Sequence, residues 1–219
     1  KIEINELISK ENDKIAKEIN DKLTSKGIFA VNVMGAPGVG KTSVIKRLIE
    51  NNSNIKYYVL EGDIESDIDA KSLIEMGIKT IQINTHGACH LDAPVIENEI
   101  KKLDMEEQAI LFIENIGNLV CPAEFQIGEH VKMLIVTVAE GSDKPYKYPL
   151  AFEKADIIIL NKSDLLDYVD FDEEYFLQGV KLLNPRVKVI KVSSKNNCGF
   201  KEVVTWIKEN QKAILHLNH

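Results

Sequence analysis

Two short motifs in this chain have the residue types that bind a nucleoside triphosphate. The first, residues 35–42, reads Gly-Ala-Pro-Gly-Val-Gly-Lys-Thr and fits the pattern G-x-x-x-x-G-K-[ST]. Its glycines let the backbone wrap a phosphate chain, and the start of the following helix adds positive field at the same place. Phosphate contacts are expected from Gly35, Ala36, Pro37, Gly38, Val39, Gly40, Lys41, Thr42 and Ser43. Lys41 is the predicted catalytic residue, because its ammonium can reach the outer phosphates.

The second motif, residues 161–164, reads Asn-Lys-Ser-Asp and has the form N-K-x-D. A carboxylate at Asp164 can accept both the N1–H and the N2 amine of guanine, a donor pair that adenine lacks, so the motif selects GTP over ATP. The aliphatic stem of Lys162 can lie over the base. The predicted base-binding set is Asn161, Lys162 and Asp164, with Ser193, Ser194 and Lys195 from the next strand end.

Hard oxygen ligands suitable for Mg²⁺ follow the phosphate loop and two of the predicted strands. Thr42 supplies a hydroxyl, and Asp63 and Glu114 are carboxylates at strand ends that we expect to flank the loop. The alternative for each carboxylate is a solvated residue at a strand end. Asp67 and Asp69 lie on the connection after Asp63, and of the two we expect Asp69 to orient the attacking water.

A second metal site is predicted from three softer ligands, Cys89, His90 and Cys121. Thiolate and imidazole suit Ni²⁺ or Zn²⁺ and are poor ligands for Mg²⁺. Three ligands cannot close a tetrahedral site, so the set predicts an open position or a site completed across a dimer axis. The alternative is a buried, inert cysteine and a surface histidine.

Strands alternating with helices must position all of these residues. Seven apolar, β-branched runs predict strands at 28–34, 57–60, 80–83, 109–113, 133–138, 156–160 and 187–192. Helical spacing predicts helices over 43–49, 68–76 and 92–103 and from Gly199 onward. An earlier helix, ended by Gly27, has an apolar face of Ile4, Leu7, Ile8, Ile15, Ile19 and Leu23. The order predicts an α/β fold: a three-layer P-loop NTPase with a mostly parallel seven-stranded sheet and helices on both faces.

Composition limits the classes of partner. The 219 residues have a net charge of −7, which argues against nucleic acid or an anionic membrane as the main partner. No apolar run approaches a membrane span, and residues 1–6 do not resemble a signal peptide. Three cysteines predict no disulfide framework, so we expect a cytoplasmic protein with reduced thiols. One domain is expected over 1–219, with the helix of 1–27 packed on it. The chain does not begin with Met, so residues can precede Lys1.

These segments together resemble the HypB family of hydrogenase nickel-incorporation GTPases, over essentially the whole chain. The resemblance is carried by the phosphate loop, Glu61–Ile64 with Asp69–Ala70, Gly87–Ala93, Glu114–Pro122, Glu140–Pro145 and Asn161–Asp164. Many proteins share the nucleotide motifs, whereas Cys-His combined with Asn-Leu-Val-Cys-Pro is far more specific. Many relatives also carry an N-terminal cysteine motif or a His-rich tract for nickel storage, and these 219 residues contain neither.

The resemblance implies a GTPase that binds GTP and GDP, dimerises and hydrolyses GTP as a switch. It also implies that Cys89, His90 and Cys121 bind Ni²⁺ or Zn²⁺ at the homodimer interface. The implied role is nickel delivery to [NiFe]-hydrogenase large-subunit precursors, with an accessory partner of the HypA type. One alternative is a urease accessory GTPase of the UreG type, whose metal motif is expected as Cys-Pro-His. Another is a GTP-dependent scaffold that holds a structural zinc.

Overall fold

The computed structural model of the chain describes residues 2–63, 68–85 and 87–216. It contains one seven-stranded sheet in the order β3-β2-β4-β1-β5-β6-β7, in which every strand pair is parallel. The strands are β1 (Phe29–Met34), β2 (Lys56–Asp63), β3 (Lys79–Asn84), β4 (Ala109–Glu114), β5 (Val131–Thr137), β6 (Ile157–Asn161) and β7 (Lys188–Lys191). The seven predicted strands and the α/β class are confirmed, with ends that differ by a few residues.

Nine α-helices occur in the described part of the chain. They are α1 (Ile2–Ser25), α2 (Lys41–Glu50), α3 (Ile68–Glu75), α4 (Ala93–Lys102), α5 (Cys121–Glu124), α6 (Lys144–Lys147), α7 (Pro149–Lys154), α8 (Glu173–Leu183) and α9 (Phe200–His216). None of them has both the length and the apolar character needed to cross a bilayer. The helices not anticipated by the sequence analysis are α5 to α8.

Helices cover both faces of the sheet. Alternate residues of each strand point to opposite faces, and both faces carry apolar side chains that must be buried. On one face, α2 and α9 pack on β1 through apolar residues such as Ile45, Phe200 and Phe29. On the other face, α1 and α4 cover the half that contains β2 and β4, and α7 and α8 cover the half that contains β5 and β6. Ile19 and Leu23 of α1 are buried as predicted, whereas the side chains of Ile4, Leu7 and Ile8 lie outside the described residues.

The strand order corrects one sequence-based expectation. β4 lies directly beside β1, as expected for the strand that ends at Glu114. β2, which ends at Asp63, pairs with β4 and β3 instead, so it does not flank the phosphate loop directly. The expectation failed because sequence order alone does not say which crossover places a strand next to β1.

Candidate functional site

The phosphate-loop segment forms a tight turn between β1 and α2. Gly38 and Gly40 have φ values of 75° and 89°, in the left-handed region that a side chain would strain. A Cβ on Gly40 would also lie only 2.9 Å from the Asn161 amide nitrogen. α2 starts directly at Lys41, whose ammonium lies 3.4 Å from the carbonyl oxygen of Gly35. The turn therefore has backbone N–H groups, a helix N-terminus and a lysine at one place, which is what a phosphate chain requires.

Five of the six residues predicted to bind the base line a cavity of about 590 Å³ next to this turn, and the sixth, Ser193, lies behind Asp164. Its walls include Gly40, Ser43, Asn161, Lys162, Asp164, Ser194 and Lys195. Asn161 donates to the Val39 carbonyl oxygen at 2.9 Å, and the Lys162 ammonium donates to the Gly38 carbonyl oxygen at 2.8 Å. The N-K-x-D segment and the phosphate loop are thus joined directly, and one bound nucleotide can span both.

The Asp164 carboxylate is held by the hydroxyl of Ser193, which donates to Oδ1 at 2.6 Å. The neighbouring Ser194 gives both its N–H and its hydroxyl to Asn161 Oδ1, at 3.2 and 3.1 Å. Arg47 of α2 lies on the cavity wall and donates from Nε to the Ser194 carbonyl oxygen at 2.7 Å. Sequence reasoning missed Arg47, because a basic residue in the last turn of a helix is common and carries no distinctive signal.

Two of the three predicted Mg²⁺ ligands are in contact. The Thr42 hydroxyl donates to Glu114 Oε1 at 2.9 Å, and both residues are buried. Glu61, which pairs in register with Glu114 on the adjacent strand and is 2% exposed, was missed. Strand alternation could have found it, because it lies two residues before Asp63 and on the same side of β2. A hydroxyl and buried carboxylates at the phosphate turn are a donor set that fits Mg²⁺.

Asp63 ends β2, and Asp69 lies in α3, but the side chains of both are outside the described residues. Their predicted roles as Mg²⁺ ligand and water-orienting residue stay predictions. The sequence also offers His86, three residues before Cys89, as a less favoured metal ligand, and this residue too lies outside the described part of the chain.

The three predicted soft ligands converge at the same edge of the sheet. The ligand atoms of Cys89, His90 and Cys121 all lie within 4.8 Å of one another. Cys89 Sγ lies 3.2 Å from Cys121 Sγ and 3.4 Å from His90 Nδ1. Such a cluster can bind a borderline or soft metal ion through three ligands, leaving a position for a fourth.

Contact between the two thiols changes the acidity of Cys121. The hydrogen bond from the Cys89 thiol, with a smaller effect of burial, raises the pKa of Cys121 above its usual value. A metal must displace thiol protons when it binds. The remaining cysteine, Cys198, is exposed and does not belong to the Cys89, His90 and Cys121 cluster. His130 is likewise structural and lies between α1 and β1.

Comparison with known proteins shows which family the chain resembles. Residues 29–191 match the family model described as "CobW/HypB/UreG, nucleotide-binding domain". The hydrogenase maturation factor HypB of Azotobacter vinelandii is 42% identical over 91% of this chain, which spans 66% of that protein's length.

Two solved structures cover nearly the whole chain. A crystal structure of HypB from Helicobacter pylori in complex with nickel has a TM-score of 0.89 and 32% identity, over 94% of this chain and 97% of that one. HypB from Archaeoglobus fulgidus gives a TM-score of 0.85 and 39% identity, over 92% of this chain and 98% of that one. The resemblance deduced from the motifs is therefore confirmed at the level of the family.

Proposed function

The chain belongs to the HypB hydrogenase maturation factors of the CobW/HypB/UreG family, and on that basis we propose that it hydrolyses GTP and delivers nickel to hydrogenase precursors. One observation carries the proposal: the Cys89, His90 and Cys121 cluster lies at the same sheet edge as the phosphate turn and the base cavity. A nucleotide and a soft metal can thus be bound at once by connected segments.

In this proposal the GTP half of the site uses Lys41 against the outer phosphates and Asp164 against guanine. Thr42 and Glu114, with Glu61 beside them on the adjacent strand, would hold Mg²⁺, which would neutralise charge on the outer phosphates. Asp63 stays a predicted further ligand. Asp69 would orient the attacking water. The backbone N–H groups of the phosphate turn stabilise charge on the transferred phosphoryl group without reorganising during the reaction.

The nickel half of the site uses three ligands from one chain. Nickel is the cargo, so an open coordination position serves release better than a closed four-ligand cage. A homodimer with the two clusters near its two-fold axis would complete the coordination in the bound state. The proposed recipients are a HypA-type accessory protein and the hydrogenase large-subunit precursor, in the cytoplasm.

Two variants test the proposal by separating the two activities. Lys41→Ala should abolish phosphate release from GTP while nickel binding persists, because the metal cluster is untouched. Cys121→Ala should lose nickel while guanine-nucleotide binding persists. Phosphate release should be measured with GTP and ATP, and nickel transfer to a chelator should be followed after GTP addition.

Three outcomes would overturn the proposal. These are equal hydrolysis of ATP and GTP, normal turnover in Lys41→Ala, and nickel affinity unchanged in Cys121→Ala. A scaffold with a structural zinc would instead lose its fold on treatment with a chelator and would transfer no metal on GTP addition.

A further inference from the structure

The two turns that carry the soft ligands come from separate connections of the sheet. Cys89 and His90 precede α4, whereas Cys121 begins α5 after β4. A metal site needs its ligand atoms placed within a few tenths of an ångström, and neighbouring residues that orient the ligands commonly supply that precision. Both turns are hydrogen-bonded to buried polar side chains that are not among the proposed nucleotide or metal ligands.

Asn12 of α1 bridges the two turns directly. Its Oδ1 accepts from the backbone N–H of Ala93 at 2.9 Å, and its Nδ2 donates to the carbonyl oxygen of Gln126 at 2.8 Å. Ala93 closely follows His90, and Gln126 closely follows Cys121. Asn12 is 5% exposed, although it lies on a helix that contributes nothing to the phosphate turn or the base cavity.

Asn115 holds the first turn from the side of β4. Its Oδ1 accepts from the backbone N–H groups of Leu91 and Ile116, at 3.2 and 3.0 Å. Its Nδ2 donates to Oδ1 of Asn32 on β1 at 3.2 Å, and both asparagines are fully buried. The residue directly after His90 is therefore fixed to the central strand of the sheet.

Lys132 of β5 holds the second turn. Its ammonium lies 2.7 Å from Glu129 Oε1 and donates to the carbonyl oxygens of Phe125 at 2.7 Å and Pro122 at 3.4 Å. The Phe125 ring stacks on the His90 imidazole with centroids 4.2 Å apart. Lys132 thus restrains the backbone beside Cys121 and, through Phe125, the ring of His90.

Fold stability alone gives a weak reason for this arrangement. The Lys132 and Glu129 side chains are only 5% and 2% exposed, so both charges lose their hydration on folding. A buried ion pair of this kind is often no more stabilising than apolar residues of similar volume. A requirement for exact placement of the two turns explains the polar residues better.

We propose that Asn12, Asn115 and Lys132 are positioning residues that hold the Cys89–His90 turn and the Cys121 turn in register for metal binding. We call these three residues the ligand clamp. The inference rests on the proposed nickel site and adds to it the residues that determine its geometry. It predicts that metal affinity depends on side chains that never touch the metal.

The test compares nickel affinity in two clamp variants with wild type, with GTP affinity and thermal unfolding measured alongside. Asn12→Ala removes the bridge. The double variant Glu129→Gln with Lys132→Met removes the second restraint without leaving an uncompensated buried charge. Each should lower nickel affinity about 10- to 100-fold and alter the thiolate-to-nickel absorption band, while GTP affinity stays unchanged.

Asn184→Ala is the matched control. Asn184 also binds backbone carbonyls through its amide, at Phe152, Glu153 and Ala155, with distances of 3.1, 3.2 and 2.8 Å, but it contacts neither ligand turn. It should lose stability with nickel affinity and spectrum unchanged. If the double variant does not fold, Asn12→Ala, which leaves the sheet intact, decides alone.

Two results would overturn the inference. The first is a wild-type nickel affinity and spectrum in the folded clamp variants while Cys121→Ala loses affinity. This result would contradict the clamp but not the proposed nickel site. Wild-type nickel affinity in Cys121→Ala would remove both, because the clamp would then position residues that bind no metal.

Discussion

At the scale of single residues, we expect guanine recognition to depend on the Asp164 carboxylate, to which the Ser193 hydroxyl donates at 2.6 Å. Asp164→Asn should weaken GTP binding by about 100-fold, because one charged acceptor becomes a donor facing the donors of guanine. Xanthosine triphosphate, whose extra carbonyl suits an amide donor, should bind better than in wild type. Competition binding with GTP, ATP and xanthosine triphosphate measures the change.

Ser193→Ala serves as the control for this prediction. It keeps the carboxylate and removes only its orientation, so GTP affinity should fall less and base preference should stay with guanine. A base preference that is the same in wild type and Asp164→Asn would show that another residue reads the base.

At this scale the candidate ligand residues could be proposed from sequence, whereas the residues that hold them in position could not. Cys89, His90 and Cys121 could be grouped because each follows a strand and carries a soft ligand atom. Asn12 could not, because an asparagine in a polar helix gives no signal, and its partner Gln126 is 114 residues away in the chain. Long-range contacts of this kind follow only from the packed fold.

At the scale of elements, His130 joins α1 to β1. Its Nδ1 accepts from Ala30 N–H at 2.9 Å, so the proton lies on Nε2, which is 2.9 Å from the hydroxyl of Thr24. Burial lowers the pKa of His130 from 6.5 to about 4, with a nearby Glu129 charge opposing it weakly. Protonation at Nδ1 would break the bond to β1.

This arrangement predicts a loss of stability in acid. The folded pKa is below the unfolded value, so the contribution of His130 is present above pH 6.5 and is lost as pH falls toward 4. Between pH 7 and pH 5 the free energy of unfolding should drop by about 2 kcal/mol on this account. Urea unfolding at both pH values measures it in wild type and in His130→Gln, which should lack this component. An equal pH dependence in the two proteins would contradict the assignment.

Most long elements were predictable because their patterns are long, although the eleven-residue helix α8 was not anticipated. Buried runs such as residues 109–113 have little alternative to a central strand, and the structure places β4 there. Helices α5, α6 and α7 span only four to six residues, too few to show a helical period, and prolines lie in all three. The strand neighbours of β1 depend on crossovers, which no local pattern specifies.

At the scale of the whole molecule, the connection from β4 to Cys121 touches the phosphate turn. Gly35 and Asn118 form an isolated antiparallel bridge. A Cβ on Gly117 would lie 2.8 Å from Pro37 Cγ and 3.0 Å from Pro37 N, so only glycine allows this approach. Contacts of the γ-phosphate with the turn can therefore move a segment that carries a metal ligand.

Gly117→Ala should weaken the coupling between nucleotide and nickel. In wild type we expect nickel affinity to differ about 10-fold between GTP-analogue and GDP forms, a coupling of about 1.4 kcal/mol. The variant should reduce this ratio toward one. Gly179→Ala on α8 is the matched control, because its Cβ would lie at a similar 2.8 Å from the Tyr146 ring, away from the nucleotide and metal sites. Calorimetric nickel titration in both nucleotide states gives the ratio, and a wild-type ratio in Gly117→Ala would exclude this route.

Assembly provides a further prediction at this scale. The GTP-analogue form should dimerise and bind Ni²⁺ or Zn²⁺ more tightly than the GDP form, because in the proposed dimer two clusters of three ligands would meet at a two-fold axis. Cys121→Ala should bind guanine nucleotide normally but form a looser dimer. Light scattering during metal titration tests this, and a monomer in every nucleotide and metal state would contradict it.

The position of Lys132 also has a consequence for synthesis of the chain. Lys132 lies on β5 and follows all three soft ligands in sequence, and it reaches its place when β5 pairs with β1. A nascent chain that ends before β5 already carries Cys89, His90 and Cys121 but lacks the residue that restrains the second turn. Native-affinity metal capture should therefore begin only after β5 has left the ribosome and joined the sheet. Incomplete polypeptides would then bind nickel more weakly than complete molecules and would not compete with them for it.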